Sequence, residues 1–94
     1  MVRNEKAARP KRMKKDWALY VLECIDGSFY TGVTKDLERR FKMHNDGKAS
    51  RYTRSRRPVK LLYQEIGLSR TQALVRECAV KALPRKQKEA LVKE

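Results

Sequence analysis

The stretch from Leu19 to Thr34 most constrains what this chain can fold into. Two apolar and aromatic runs, Leu19-Tyr20-Val21-Leu22 and Phe29-Tyr30-Thr31, flank Asp26-Gly27. That is the sequence form of a β-hairpin. The loop length decides which side chains share a face. A two-residue Asp26-Gly27 loop pairs residues whose numbers sum to 53 and puts Tyr20 and Tyr30 on opposite faces. A three-residue loop, Ile25-Asp26-Gly27, pairs residues whose numbers sum to 52 and sets Tyr30 opposite Leu22, on the face that holds Tyr20. Glycine in third place, where the backbone turns left-handed, selects the second register.

The remaining elements follow from periodicity and caps. Trp17 to Leu22 is nearly all apolar, as a strand buried on both faces is. The spacing predicts strands over 17–24, 28–33 and 59–66, and helices over 35–45, 70–83 and 85–93. The expected fold class is α/β (α+β): a three-stranded antiparallel sheet flanked by helices. Thr34 is the expected cap of the first helix, whose Leu37 and Phe41 form one stripe and Arg40 and His44 the next. Asn45-Asp46-Gly47 ends it. Pro58 argues for a loop across 48–58. Ser69 and Gln72 form a capping box for the second helix, whose broad apolar face reads Leu74, Val75, Cys78, Ala79 and Ala82. Ala73 and Val80 form a smaller face, and Glu77 lies between the two. Pro84 separates the last helix.

Residues 1–16 have no apolar face and read as a mobile basic arm, leaving 17–94 as the folded domain. The chain carries 24 Lys and Arg against 11 Asp and Glu, a net charge of +13. Such a balance calls for a polyanion, with nucleic acid the first candidate and an anionic membrane surface the second. Lys48, Arg51, Arg54, Arg56, Arg57 and Lys60 lie between Asp46 and Glu65 with no acidic residue among them, and are the expected nucleic-acid contacts. Cys24 and Cys78 sit in apolar runs and read as two buried free thiols. No apolar run approaches the roughly 20 residues that span a bilayer, and no signal peptide is visible. The expectation is a cytoplasmic protein.

Taken together, these residues resemble the GIY-YIG endonuclease domain. The likeness is greatest to its small single-domain bacterial members, which resemble the N-terminal nuclease module of the nucleotide-excision-repair endonuclease. Ala18-Leu19-Tyr20 stands where the family has Gly-Ile-Tyr, and Tyr30-Thr31-Gly32 where it has Tyr-Ile-Gly. Arg40 and His44 match the arginine and the histidine or tyrosine of its first helix, followed by Asn45. Glu77 matches its metal-binding glutamate. The resemblance implies a catalytic set of Tyr20, Tyr30, Arg40 and His44, a metal on Glu77, and structural roles for Gly32 and Asn45. It implies that Tyr20 activates the water, with Tyr30 and His44 orienting groups or relaying protons.

The chemistry fits those residue types. Phosphodiester hydrolysis needs a nucleophilic water, stabilisation of charge at phosphorus, and help for the leaving oxygen. One carboxylate plus water suits Mg²⁺ or Mn²⁺, and an arginine suits the phosphate oxygens as they gain charge. Gly32 lets the backbone approach a phosphate or the helix closely. Taken singly, each residue also has an ordinary reading: tyrosines in strands fill cores, and Glu77 can pair with Lys81 at i, i+4. Three functions therefore stand: a metal-dependent DNA endonuclease in repair or processing, acting on structured or single-stranded DNA; a nucleic-acid-binding module with little or no catalysis; and a basic protein that docks on the ribosome or an acidic protein.

Overall fold

The computed structural model describes residues 15–93; the basic arm expected over 1–16 lies outside them except for Lys15 and Asp16. The sheet has three antiparallel strands in the order β2-β1-β3: β1 Trp17–Glu23, β2 Phe29–Thr34 and β3 Lys60–Leu68. β1 is central and buried over five consecutive residues, which is why its sequence reads as continuously apolar. Four helices complete the described residues: α1 Leu37–Asn45, α2 Arg51–Arg54, α3 Arg70–Lys81 and α4 Arg85–Val92.

The hairpin takes the three-residue loop. Leu22 pairs with Tyr30 and Tyr20 with Gly32. Cys24 N–H donates to Ser28 O at 2.8 Å, and Gly27 adopts φ +85°. Asp26 closes the turn by accepting from the Ser28 N–H and hydroxyl at 3.0 and 2.6 Å. One face of β1 presents Tyr20 and Leu22, which cluster with Cys24, Val59, Tyr30, and Leu37 and Phe41 of α1. The other presents Leu19 and Val21 to Val80 of α3 and to Leu91 and Val92 of α4.

Four local expectations are corrected. Asp36, not Thr34, caps α1: its carboxylate accepts from Arg39 N–H at 3.2 Å, and Thr34 Oγ1 instead accepts from Asp36 N–H at 3.1 Å. The helix accordingly starts at Leu37. The 48–58 stretch is not all loop, because Ser50 caps the turn α2 by accepting from Thr53 N–H. Pro58 lies beyond that turn and does not oppose it. Cys78 is exposed, while Cys24 is buried. The face of α3 that turns inward is the small one, Ala73 and Val80, and Leu74 and Val75 are 40% and 62% exposed. Two features hold that rotation. Ala73 permits close approach to the sheet, and Arg76 grips Glu65 of β3 with two bonds of 2.9 and 2.6 Å. The capping box at Ser69 and Gln72 forms as expected.

Candidate active site

The Tyr20 side chain leaves the middle of β1 on the α1 side, where its cross-strand partner is Gly32. A Cβ on Gly32 would stand 2.5 Å from Tyr20 Oη and 2.7 Å from Cζ. The glycine therefore makes room for the tyrosine ring rather than for a phosphate or helix backbone, the neighbours expected from the sequence. His44, one turn beyond Arg40 on α1, is fully buried, and its Nε2 lies 2.9 Å from Tyr20 Oη. Tyr30 packs edge-on to His44 with centroids 5.0 Å apart and lies 6.4 Å from the Tyr20 ring. The same-face register of the hairpin and the i, i+4 spacing on α1 together bring Tyr20, Tyr30, Arg40 and His44 to one place.

Burial raises the Tyr20 pKa well above the ordinary 10.0, and Tyr30 adds to the shift; the positive charge of Arg40 opposes it. Burial, assisted by Arg40, holds His44 down to about 4. At neutral pH the pair is thus a protonated phenol beside a neutral imidazole. Hydrogen-bond accounting assigns the proton between them. His44 Nε2 is the one hydrogen-bond partner of Tyr20 Oη among the described residues, so the phenol hydrogen goes to Nε2. The alternative, an Nε2–H donating to Oη, leaves the phenol hydrogen of a buried residue without a partner.

Glu77 lies on the inward stripe of α3 with Ala73 and Val80. Its charge reaches Tyr20 and raises that pKa, as the smallest of five contributions. Its carboxylate is 23% exposed and pairs with Lys81 Nζ at 3.1 Å. The ordinary i, i+4 partner is therefore present alongside the proximity to Tyr20. Among the described residues no three His, Cys, Asp or Glu side chains gather into a metal-binding group. The donor chemistry at the site, one partly exposed carboxylate, fits a hard divalent cation whose remaining ligands are water and substrate oxygens. Asn45 is structural: its side chain accepts from Val59 N–H at 2.8 Å and donates to Val59 O at 3.2 Å, clamping the end of α1 to the entry of β3.

The six basic residues of the 48–60 segment divide. Arg56 is committed to Asp26 at 3.0 Å and to Tyr52 O at 2.8 Å, and its guanidinium lies 3.9 Å over the Tyr52 ring. Arg57 is committed to the carbonyls of Arg54 and Asn45. Lys48, Arg51, Arg54 and Lys60 are exposed, with no acidic partner among the described residues.

Three residues were not singled out by the sequence. Thr53 is fully buried and its Oγ1 lies 2.7 Å from His44 Nδ1; Ser50 Oγ is 3.0 Å beyond it. Tyr52 stacks on Tyr30 at 6.0 Å. The available signal was Ser50 three residues before Thr53, the spacing of a helix cap within a stretch read as loop.

A sheet-and-helix frame that sets two tyrosines against an arginine and a histidine defines a class, and a family-wide comparison agrees: the GIY-YIG catalytic domain model matches residues 16–90, and the chain belongs to that family. Its relatives are small. A UPF0213 protein of Desulfotalea psychrophila is 45% identical over 90% of this chain and 78% of its own length. A UPF0213 protein of Bacillus licheniformis is 49% identical over 80% of this chain and 77% of its own. The solution NMR structure of a UPF0213 protein from Bacillus halodurans shares the fold with a TM-score of 0.55 at 45% identity, covering 82% of each chain. That of an E. faecalis protein does so at 0.58 and 45%, covering 85% of each.

Proposed function

We propose that this protein is a divalent-metal-dependent DNA endonuclease, with Tyr20, Tyr30, Arg40 and His44 as its catalytic set and Glu77 as its metal ligand. The observation that carries the reading is the buried Tyr20–His44 bond of 2.9 Å, with the charge of Arg40 acting on the same phenol. An ordinary core tyrosine requires neither a buried imidazole nor a guanidinium.

The geometry gives Tyr20 a way to act without becoming a bare phenolate. When DNA binding brings a water against Tyr20 Oη, which is buried in the free protein, the breaking O–H bond passes its proton to Oη while the phenol hydrogen passes to His44 Nε2. The water oxygen attacks phosphorus, the bond to the leaving oxygen breaks, and the leaving oxygen takes a proton from solvent. Arg40 faces the phosphate oxygens as they gain charge. Tyr30 wedges the imidazole in place. Glu77 would hold Mg²⁺ or Mn²⁺, which would supply Lewis acidity at the phosphate when bound. DNA repair is the process suggested by the resemblance to the excision-repair module.

The test is nicking of plasmid, single-stranded and branched DNA with Mn²⁺. Glu77→Gln is expected to abolish cleavage and the Mn²⁺ broadening of nearby NMR signals while leaving DNA binding intact. Arg40→Ala is expected to lower kcat by roughly 10²–10³ with metal binding retained. The Glu77–Lys81 pair favours a second reading, a DNA-binding module without catalysis. Wild-type protein that binds DNA but never nicks it, with broadening unchanged in Glu77→Gln, would establish that second reading.

A further inference from the structure

We propose that Thr53, backed by Ser50, fixes the tautomer of His44 and thereby makes Tyr20 the donor in its bond to the imidazole. His44 and Thr53 are both fully buried, so neither ring nitrogen can turn to solvent for a partner. On one side Nε2 meets Tyr20 Oη at 2.9 Å, and on the other Nδ1 meets Thr53 Oγ1 at 2.7 Å. A threonine hydroxyl can donate or accept, so Thr53 alone leaves the proton undetermined. Ser50 gives the Thr53 hydrogen somewhere to go, at 3.0 Å. It is held there because its Oγ also accepts Thr53 N–H at 3.1 Å as the cap of α2. The hydroxyl pair allows either direction; with Thr53 donating to Ser50, Thr53 Oγ1 accepts from Nδ1–H and the buried phenol hydrogen keeps Nε2 as its acceptor.

The chain of donors runs in one direction: Tyr20 O–H to Nε2, Nδ1–H to Thr53 Oγ1, and Thr53 O–H to Ser50 Oγ. The opposite chain would set Nε2–H on Tyr20 Oη and leave the phenol hydrogen stranded in a buried site. Thr53 and Ser50 touch no substrate in this scheme. They are positioning residues, and the short turn α2 exists to carry them. The kinetic consequence rests on the nuclease reading: only with Nε2 bare can Tyr20 pass its hydrogen on while it takes one from water. The second hydrogen bond also stays formed when the ring becomes an imidazolium, where it strengthens.

The experiment is long-range ¹H–¹⁵N correlation of the full chain at neutral pH, without DNA or metal. His44 is the only histidine, so one imidazole is seen. Wild type is expected to show a protonated Nδ1 and a bare Nε2. Thr53→Val is expected to move the proton wholly or largely to Nε2, and Thr53→Ser to restore it. A wild-type spectrum with the proton on Nε2 overturns the proposal, even if Thr53→Val fails to fold. So does a folded Thr53→Val that keeps the proton on Nδ1. In nicking assays Thr53→Val is expected to lose at least tenfold in kcat with KM for DNA unchanged, and Thr53→Ser to recover most of it. An inactive wild type whose Nδ1–H tautomer depends on Thr53 would end the nuclease reading and support the positioning role.

Discussion

A single missing methyl group shapes the site. Gly32 lies opposite Tyr20, and any larger residue there would displace the phenol from His44. Gly32→Ala is expected to cost about 1–3 kcal/mol by overpacking, and to lower cleavage at least tenfold because Tyr20 loses its bond to Nε2. Denaturant unfolding and a nicking assay on the same preparation check both halves. His44 makes a second demand on the fold. Burial keeps the folded imidazole neutral down to about 4, against 6.5 for the free side chain. Between those values the unfolded chain binds a proton that the native state refuses. Acidification from 6.5 towards 4 therefore removes stability, at most about 1.4 kcal/mol per pH unit. Above 6.5 His44 contributes no pH dependence, and below 4 it adds no further loss. Comparing urea midpoints of wild type and His44→Gln across that range is expected to show a steeper acid loss in wild type.

At the level of elements, rotation of α3 decides whether Glu77 faces the sheet. Hydrophobicity alone points the helix the wrong way, with Leu74 and Val75 inward. Arg76 corrects it through its paired bonds to Glu65, whose carboxyl is held below the usual range chiefly by those bonds. Arg76→Ala is expected to cost about 1 kcal/mol for this partly exposed pair. Because Glu77 follows Arg76 on the same turn, Mn²⁺ broadening at the site is expected to weaken as well. Stability loss with unchanged broadening would show that Ala73 and Val80 suffice to set the rotation. The short α2 works similarly: its cap, Ser50, orders a turn whose hydroxyl pair meets His44 from the side opposite Tyr20.

For the whole molecule the charge of +13 matters less than where it is free. Arg56 and Arg57 serve the 48–60 segment itself, bonded to Asp26 and to backbone carbonyls. Lys48, Arg51, Arg54 and Lys60 are exposed, and in the proposed function they are the residues that contact phosphate. Replacing those four with Gln is expected to weaken DNA affinity and to flatten the dependence of log K on log salt by about 0.9 for each phosphate no longer neutralised. Replacing Arg56 and Arg57 is expected to reduce stability more than the slope. Fluorescence anisotropy over a salt series and thermal unfolding separate the two. An unchanged slope in the four-residue variant would place the DNA surface elsewhere. No helix among the described residues is long and apolar enough to cross a membrane.

What could be read from the sequence was whatever local geometry dictates. The Asp26-Gly27 turn set the hairpin register, and the register put Tyr20 and Tyr30 on one face. Helical spacing put Arg40 and His44 on adjacent turns, and Ser69 with Gln72 marked where α3 begins. These are short-range rules, in which a few neighbours fix the outcome. The tertiary structure alone decided the rest. Which stripe of α3 turns inward depends on Glu65, eleven residues before Arg76, and on the space at Ala73. The commitment of Arg56 depends on Asp26, thirty residues away. The His44–Thr53 bond exists because packing removes water from both side chains and leaves each no other partner. A polar residue in a sequence shows what bonds it can make. Only burial, imposed by the whole fold, determines which of them it must make.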